Sequence, residues 1–120
     1  MFELMVEDTF DAAHHLPAHE GKCSNNHGHT WKVRMIVRCA ETDQNGICID
    51  FKRLKDDLHY ELERLDHQDL NQVLPSVVPT AENIAKYLFK MLKAASPLGI
   101  TLHCVMVFES ADCGVAYYES

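Results

Sequence analysis

A cysteine and two histidines sit within seven residues in the stretch Cys23-Ser24-Asn25-Asn26-His27-Gly28-His29. A thiol can serve as nucleophile or general base, and imidazoles are metal ligands. His27 and His29 are two apart, a spacing that sends both side chains to one face of a β-strand. Trp31, Val33, Met35, Val37 and Cys39 continue their phase, while Thr30, Lys32, Arg34 and Arg38 fill the other, with Ile36 as the exception. The histidines therefore start a strand whose odd face is apolar. Two neutral imidazoles beside a dry wall suit Zn²⁺.

A third histidine strengthens that reading. Residues 4–14 read as another strand, with Val6, Phe10, Ala12 and His14 in one phase and Asp8 interrupting it. Pro17 stops regular pairing just beyond. If the two strands are antiparallel neighbours, the end of the first lies beside the start of the second. His14, His27 and His29 could then meet, with residues 15–26 as a long connection. Three histidines with an open fourth position describe a catalytic zinc site rather than a closed structural one. His15 and His19 are spare candidates, read as solvated loop residues.

Two further places carry chemistry. Asp66-His67 follows the first helix and reads either as an ordinary surface loop or as a carboxylate that orients an imidazole and stabilises its cationic form. Glu109 follows the apolar run Val105-Met106-Val107-Phe108. It is either a wet strand end or a carboxylate held in a pocket, able to accept two side-by-side N–H bonds from a ligand.

The elements that must position these groups follow from periodicity. Residues 41–46 form a turn cluster ending in Asn-Gly, and Ile47-Cys48-Ile49 returns as a short extended piece. Asp50 is a helix N-cap. Phe51, Leu54, Leu58, Leu62 and Leu65 keep helical spacing, which predicts an amphipathic helix over 51–63. Residues 66–79 read as an irregular loop. Thr80 caps a second helix with Ile84, Leu88, Met91, Leu92 and Ala95 as its stripe, and Pro97 and Gly99 end it. Strands are expected at 100–109 and 113–118. The order ββααββ favours an α+β fold, a four-stranded antiparallel sheet with two helices on one face. The other sheet face is left uncovered, so self-association is expected.

The 120 residues read as one domain, residues 1–120, and the 47% hydrophobic content allows a real core. The formal charge of −7 argues against nucleic acid as a partner. No apolar run is long enough to cross a membrane, and the acidic, alternating N-terminus does not resemble a signal peptide. A cytoplasmic protein is expected, with its five cysteines reduced. Cys39, Cys48, Cys104 and Cys113 are read as small core residues.

Taken together these residues resemble the 6-pyruvoyl-tetrahydropterin synthase family, and within it the bacterial 6-carboxy-tetrahydropterin synthase branch of queuosine biosynthesis. The matching pieces are Phe10-Asp11-Ala12-Ala13-His14, Cys23 to His29, Leu65-Asp66-His67, Pro79-Thr80-Ala81-Glu82-Asn83 and Glu109, in the family's order. The resemblance implies a tunnelling fold, with trimers closing a barrel and two trimers stacking into a homohexamer. It implies zinc on His14, His27 and His29, and Cys23 as catalytic cysteine. Asp66 and His67 would complete a proton-transfer triad from a neighbouring subunit, and Glu109 would anchor the pterin. The implied reaction is a lyase step on 7,8-dihydroneopterin triphosphate. The short gap between Cys23 and His27 is similar to the queuosine branch. A 6-pyruvoyl-tetrahydropterin synthase, a zinc- or pterin-binding module without catalysis and a simple zinc hydrolase are the alternatives. The hydrolase leaves Glu109 without a task.

Overall fold

The computed structural model describes residues 1–17, 25–74 and 76–120. Strands β1 (Phe2–His14) and β2 (His27–Cys39) pair antiparallel over their whole lengths, from Phe2 opposite Cys39 to His14 opposite His27. In β1 the phase carrying Val6, Phe10, Ala12 and His14 is buried, and in β2 the phase from Trp31 to Cys39 is buried. The two-residue period thus fixes the register, because a slip by one would turn the whole apolar set to water. Strands β3 (Thr101–Ser110) and β4 (Cys113–Tyr117) complete a four-stranded antiparallel sheet in the order β1-β2-β3-β4.

Helices α1 (Phe51–Glu63) and α3 (Ala81–Ala95) cover the apolar face, α1 against β1 and α3 against β3 and β4. Both begin where their caps dictate. Asp50 accepts from the Lys52 N–H, and the Thr80 hydroxyl accepts from the Asn83 N–H, each satisfying a donor the first turn leaves unpaired. Leu54, Leu58 and Leu62 of α1 and Ile84, Leu88 and Leu92 of α3 are buried against Trp31, Val33, Met35, Val105 and Val107. Each such side chain contributes roughly 1.5–3 kcal/mol when fully removed from water. Among the described residues no helix is long and apolar enough to cross a membrane.

Three expectations need correction. The loop over 66–79 contains a one-turn helix α2 (Leu70–Val73), capped by Asp69, which accepts from the Asn71 N–H. Its sequence is too short for a helical period, and only the burial of Leu70 under the sheet reveals its purpose. Residues 47–49 form no strand. The cysteines are not all reduced core residues, because Cys39 and Cys48 form a disulfide. The turn between them reverses the chain. Asp43 accepts from the Asn45 and Ile47 N–H groups, and Gly46 takes the left-handed φ of 80° that glycine permits. This brings the two Cα atoms to 6.2 Å. Cys104 is buried, as expected, and Cys113 is exposed.

The sheet face away from the helices carries charged and apolar residues together. Glu7 pairs with Arg34 and Glu3 with Arg38 directly across the β1–β2 ladder. Lys32 and Arg34 lie over the Phe108 ring.

Candidate metal centre and the Asp66–His67 pair

The pairing of β1 with β2 assembles the three histidines. His14 stands directly opposite His27, and Ala12 opposite His29, so all three imidazoles project from one end of one sheet face. Their ring centroids lie 4.6 to 5.0 Å apart. Trp31, two residues past His29 in the same phase, forms the floor. Its ring meets His14 and His29 edge-on at 5.0 and 5.2 Å, and its Nε1–H donates to the Ala12 carbonyl.

Backbone carbonyls set the tautomers. His14 Nδ1 donates to the Pro79 carbonyl at 2.8 Å, and His27 Nδ1 donates to the Asn25 carbonyl at 2.7 Å. A carbonyl can only accept, so each Nδ1 carries the proton and each Nε2 keeps its lone pair in the neutral ring. Pro79 sits just before α3, whose Thr80 cap fixes it. The Pro79-Thr80 motif therefore orients β1's last histidine.

Glu109 joins the group from β3. Its Oε1 lies 3.0 Å from His29 Nε2 and 3.9 Å from His14 Nε2. One ligand atom from each of His14, His27, His29 and Glu109 falls within 4.8 Å of the other three. Yet the Nε2 atoms of His14 and His29 are buried and, among the described residues, have no hydrogen-bond partner. Buried polar atoms are rarely left so, and two orphaned imidazole nitrogens beside a carboxylate are what a metal ion would satisfy. Burial pushes the His29 pKa below the ordinary 6.5, with the neighbouring His14 and His27 adding to the shift and Glu109 opposing it. The ring is therefore held neutral, the form that binds metal.

Asp66 and His67 lie elsewhere. The loop after α1 docks along the free edge of β1, where the His67 N–H donates to the Asp11 carbonyl and the Ala13 N–H to the Gln68 carbonyl. The Asp66 carboxylate accepts from the Asp11 N–H at 2.8 Å through one oxygen and contacts His67 Nδ1 at 2.8 Å through the other. The Asp11 N–H and then the His67 ring hold the Asp66 carboxyl below the usual carboxylate range. His67 has a φ of 58°, in the left-handed region that is uncommon for a side chain of this size. With Asp11 these two residues form a second cluster that shares no member with the first. An open groove of about 550 Å³ passes Gly28, His29, Thr30 and His67. A cavity of about 370 Å³ among Phe2, Leu4, Ile47 and Phe51 lies at the opposite end of β1 and holds no such constellation.

Of the residues singled out in the sequence, His14, His27, His29 and Glu109 come together, and Asp66 and His67 form their own pair. Cys23 and His19 lie outside the described residues. His15 is tied down through its backbone, its N–H donating to Asn71 Oδ1 and its carbonyl accepting from Asn71 Nδ2. Sequence reasoning missed the Pro79 and Asn25 carbonyls, since a backbone acceptor leaves no residue-type signal. It also missed Trp31 as the floor of the site, although its phase was visible.

Comparisons with known proteins identify the family and the fold. The 6-pyruvoyl tetrahydropterin synthase family profile matches residues 3–120. A Synechocystis protein named 6-carboxy-5,6,7,8-tetrahydropterin synthase is 38% identical, covering 99% of this chain and 95% of its own. A Bacillus subtilis protein of the same name is 34% identical, covering 89% and 77%. The solved structure of Caenorhabditis elegans 6-pyruvoyl tetrahydropterin synthase superposes with a TM-score of 0.86 at 27% identity, covering 99% of this chain and 96% of that one. The sheet, the helices and the family profile together place this chain in the 6-pyruvoyl tetrahydropterin synthase family, with the tunnelling fold.

Proposed function

We propose that the chain is a zinc-dependent lyase, a 6-carboxy-tetrahydropterin synthase. It converts 7,8-dihydroneopterin triphosphate and water to 6-carboxy-5,6,7,8-tetrahydropterin, acetaldehyde and triphosphate, in cytoplasmic queuosine biosynthesis. The observation that carries the metal is the pair of buried Nε2 atoms on His14 and His29, without a hydrogen-bond partner among the described residues and converging with His27 and Glu109. The names of the similar bacterial proteins support the reaction.

His14, His27 and His29 would hold the zinc. Bound there, it supplies Lewis acidity to side-chain oxygens of the substrate and acidifies the adjoining C–H bonds. Cys23 takes a proton from the substrate side chain as general base. His67, oriented by Asp66, carries a proton at the second side-chain carbon. Glu109 accepts N–H groups of the pterin ring and so fixes the reacting carbons against these groups. Loss of a proton carrier commonly costs about 10²–10⁴-fold in rate, which is the loss expected for Cys23→Ala in a protein that still folds.

The site is completed between subunits of a homo-oligomer, a trimer or a hexamer. Two features support this. The Asp66–His67 cluster shares no member with the histidine cluster of its own chain, and one open groove runs past His29 and His67. The sheet also ends in two edges, β1 and β4, and only the end of β1 is met by the 66–69 loop.

The test is incubation of the zinc-loaded protein with 7,8-dihydroneopterin triphosphate and mass analysis of the products. Acetaldehyde with a carboxypterin is expected. A pyruvoyl pterin without aldehyde would assign the chain to the pyruvoyl reaction instead. Tight metal or pterin binding with no turnover would reduce it to a binding module.

A further inference from the structure

We propose that the Cys39–Cys48 bond is a reversible thiol–disulfide modification site, a latch opened by a dithiol reductant and closed by peroxide. Its state decides whether the turn over residues 40–49 covers the far end of β1. In the reducing cytoplasm proposed above for this chain, a disulfide is usually transient and redox-sensing rather than structural.

The turn has little else to hold it to the sheet. The Asp43 N–H donates to the Ile47 carbonyl at 2.8 Å, and the Asp43 carbonyl accepts from the Gly46 N–H at 3.0 Å. The Asp43 carboxylate accepts from the Asn45 and Ile47 N–H groups. Every one of these bonds closes within the turn. Among the described residues, none of 40–49 hydrogen-bonds to β1 or α1. Ile49 supplies one partly buried contact with the core, and Cys48 supplies the covalent tether to Cys39. A segment ordered by its own bonds, with few buried contacts, opens as a local unit once the tether is cut.

The two sulfurs are unequal. Cys39 closes β2 opposite Phe2 and is 4% exposed, whereas Cys48 is half-buried in the turn. An incoming thiolate therefore reaches Cys48. It forms a mixed disulfide with the Cys48 sulfur and breaks the bond to Cys39, whose sulfur leaves as thiolate and takes a proton from water. The second thiol of the reductant, giving up its proton, attacks its partner sulfur and releases Cys48. The chain gains two thiols and the reductant becomes a disulfide. The Glu41 carbonyl lies 2.9 Å from Cys39 Sγ and 3.8 Å from Cys48 Sγ, so it can accept the S–H of either thiol, and the reduced state has an acceptor in place. Peroxide reverses the change. It oxidises the Cys48 thiolate to a sulfenic acid with release of hydroxide, and the Cys39 thiol condenses with that acid to give the disulfide and water.

Opening would change one end of the molecule. A cavity of about 370 Å³ lies between Phe2 and Leu4 of β1, Phe51 of α1, and Ile47, Cys48 and Ile49 of the turn. When the turn swings out, that cavity loses a wall and Phe2, Leu4 and Phe51 face water. Asp50, the cap of α1, follows Cys48 by two residues, so the start of that helix feels the same release. His27 stands at the other end of β2, which leaves the metal centre outside the moving part.

The experiment uses the zinc-loaded chain in excess zinc, equilibrated with dithiothreitol or with hydrogen peroxide. It is then cut briefly with a glutamyl endopeptidase, whose site after Glu41 lies inside the loop. The chain-entropy relation for a separation of 9 sets about 100-fold as the upper limit on the change in opening, and reduced chain should be cut after Glu41 at least about 10-fold faster. Low urea that leaves the fold intact should not alter that rate, as befits local opening. On alkylation with iodoacetamide, Cys48 of the reduced chain should react at least about 10-fold faster than buried Cys39, with exposed Cys113 as reference. Peroxide should restore slow cutting. Cys48→Ser and Cys48→Ala should be cut at the reduced rate under either reagent. Equal cutting in both redox states, or cutting that appears only as urea unfolds the chain, would overturn the latch. Cys39 alkylating as fast as Cys48 would overturn the assigned point of attack. A bond that resists dithiothreitol in the folded chain, or thiols that peroxide leaves free, would overturn the reversible site. None of these readouts needs turnover, so their failure is distinct from failure of the proposed reaction.

Discussion

Replacing Trp31 with phenylalanine should weaken the fold and the metal centre together. Trp31 is fully buried, stacks on Phe10 at 6.0 Å, and donates its indole N–H to the Ala12 carbonyl at 3.2 Å. The substitution removes roughly 40 Å³ of side chain, which at about 24 cal/mol per Å³ of cavity costs about 1 kcal/mol. The lost hydrogen bond contributes about 1 kcal/mol more, giving ~2 kcal/mol of lost stability for the metal-free protein. The same ring supports the edges of His14 and His29, so zinc affinity should fall about 10-fold, as when a ligand loses its orienting contacts. Denaturant titration of the metal-free proteins measures the first effect, and competition with a chromophoric chelator measures the second. Zinc at 100 times its dissociation constant should add about 2.7 kcal/mol to wild type. A variant within about 0.5 kcal/mol of wild type, the scatter of surface substitutions, and with unchanged zinc affinity would refute the role given to this ring.

Acidification should destabilise the metal-free protein from about pH 6.5 downward. Burial holds the folded His29 pKa below 6.5, so the unfolded chain takes up that proton first, and stability is lost until the folded group also titrates. A denaturation midpoint that rose between pH 7 and pH 5 would contradict this. Asp66 acts lower on the scale. Its depressed carboxyl contributes stability above the usual carboxylate range that is lost as pH falls through the folded value. Reduction of Cys39–Cys48, with its sequence separation of 9, should lower stability by about 2.7 kcal/mol on the chain-entropy relation. It should leave zinc affinity unchanged, because Cys39 and His27 occupy opposite ends of β2, and equal denaturation midpoints with and without reductant would count against it. Cys23→Ala and His67→Ala oligomers should each be nearly inactive. Co-refolding them together should restore activity at interfaces where an intact Cys23 meets an intact His67, and no recovery in confirmed mixed assemblies would place the site within one chain.

The sequence carried the parts of this molecule that repeat with a period. His14 could be read onto the end of β1, and His27 and His29 onto the start of β2, because alternation over many residues locks the phase of each strand. Asp50 and Thr80 marked their helices because a cap side chain is a local signal. Helix α2 escaped because four residues hold no period, and its stability comes from burying Leu70. The Cys39–Cys48 bond escaped because compartment arguments say nothing of how a turn folds back. Glu109 was left open between a wet strand end and a pocket, since its direction is set by a register shift that depends on Phe108 and Gly114 from two strands. The docking of Asp66–His67 on the free edge of β1 was not legible in the periodicity, because it rests on backbone hydrogen bonds from His67 and to Gln68.

Metal-dependent aldehyde release tests the central claim most directly. The protein would be stripped with a chelator, reloaded with zinc to known occupancy, and given 7,8-dihydroneopterin triphosphate, with His27→Ala as control. Acetaldehyde and carboxypterin should appear in equal amounts, in proportion to zinc bound, with one zinc per chain, and the control should hold little zinc and release no aldehyde. Aldehyde release that persists without metal, or full zinc occupancy in His27→Ala, would contradict the account.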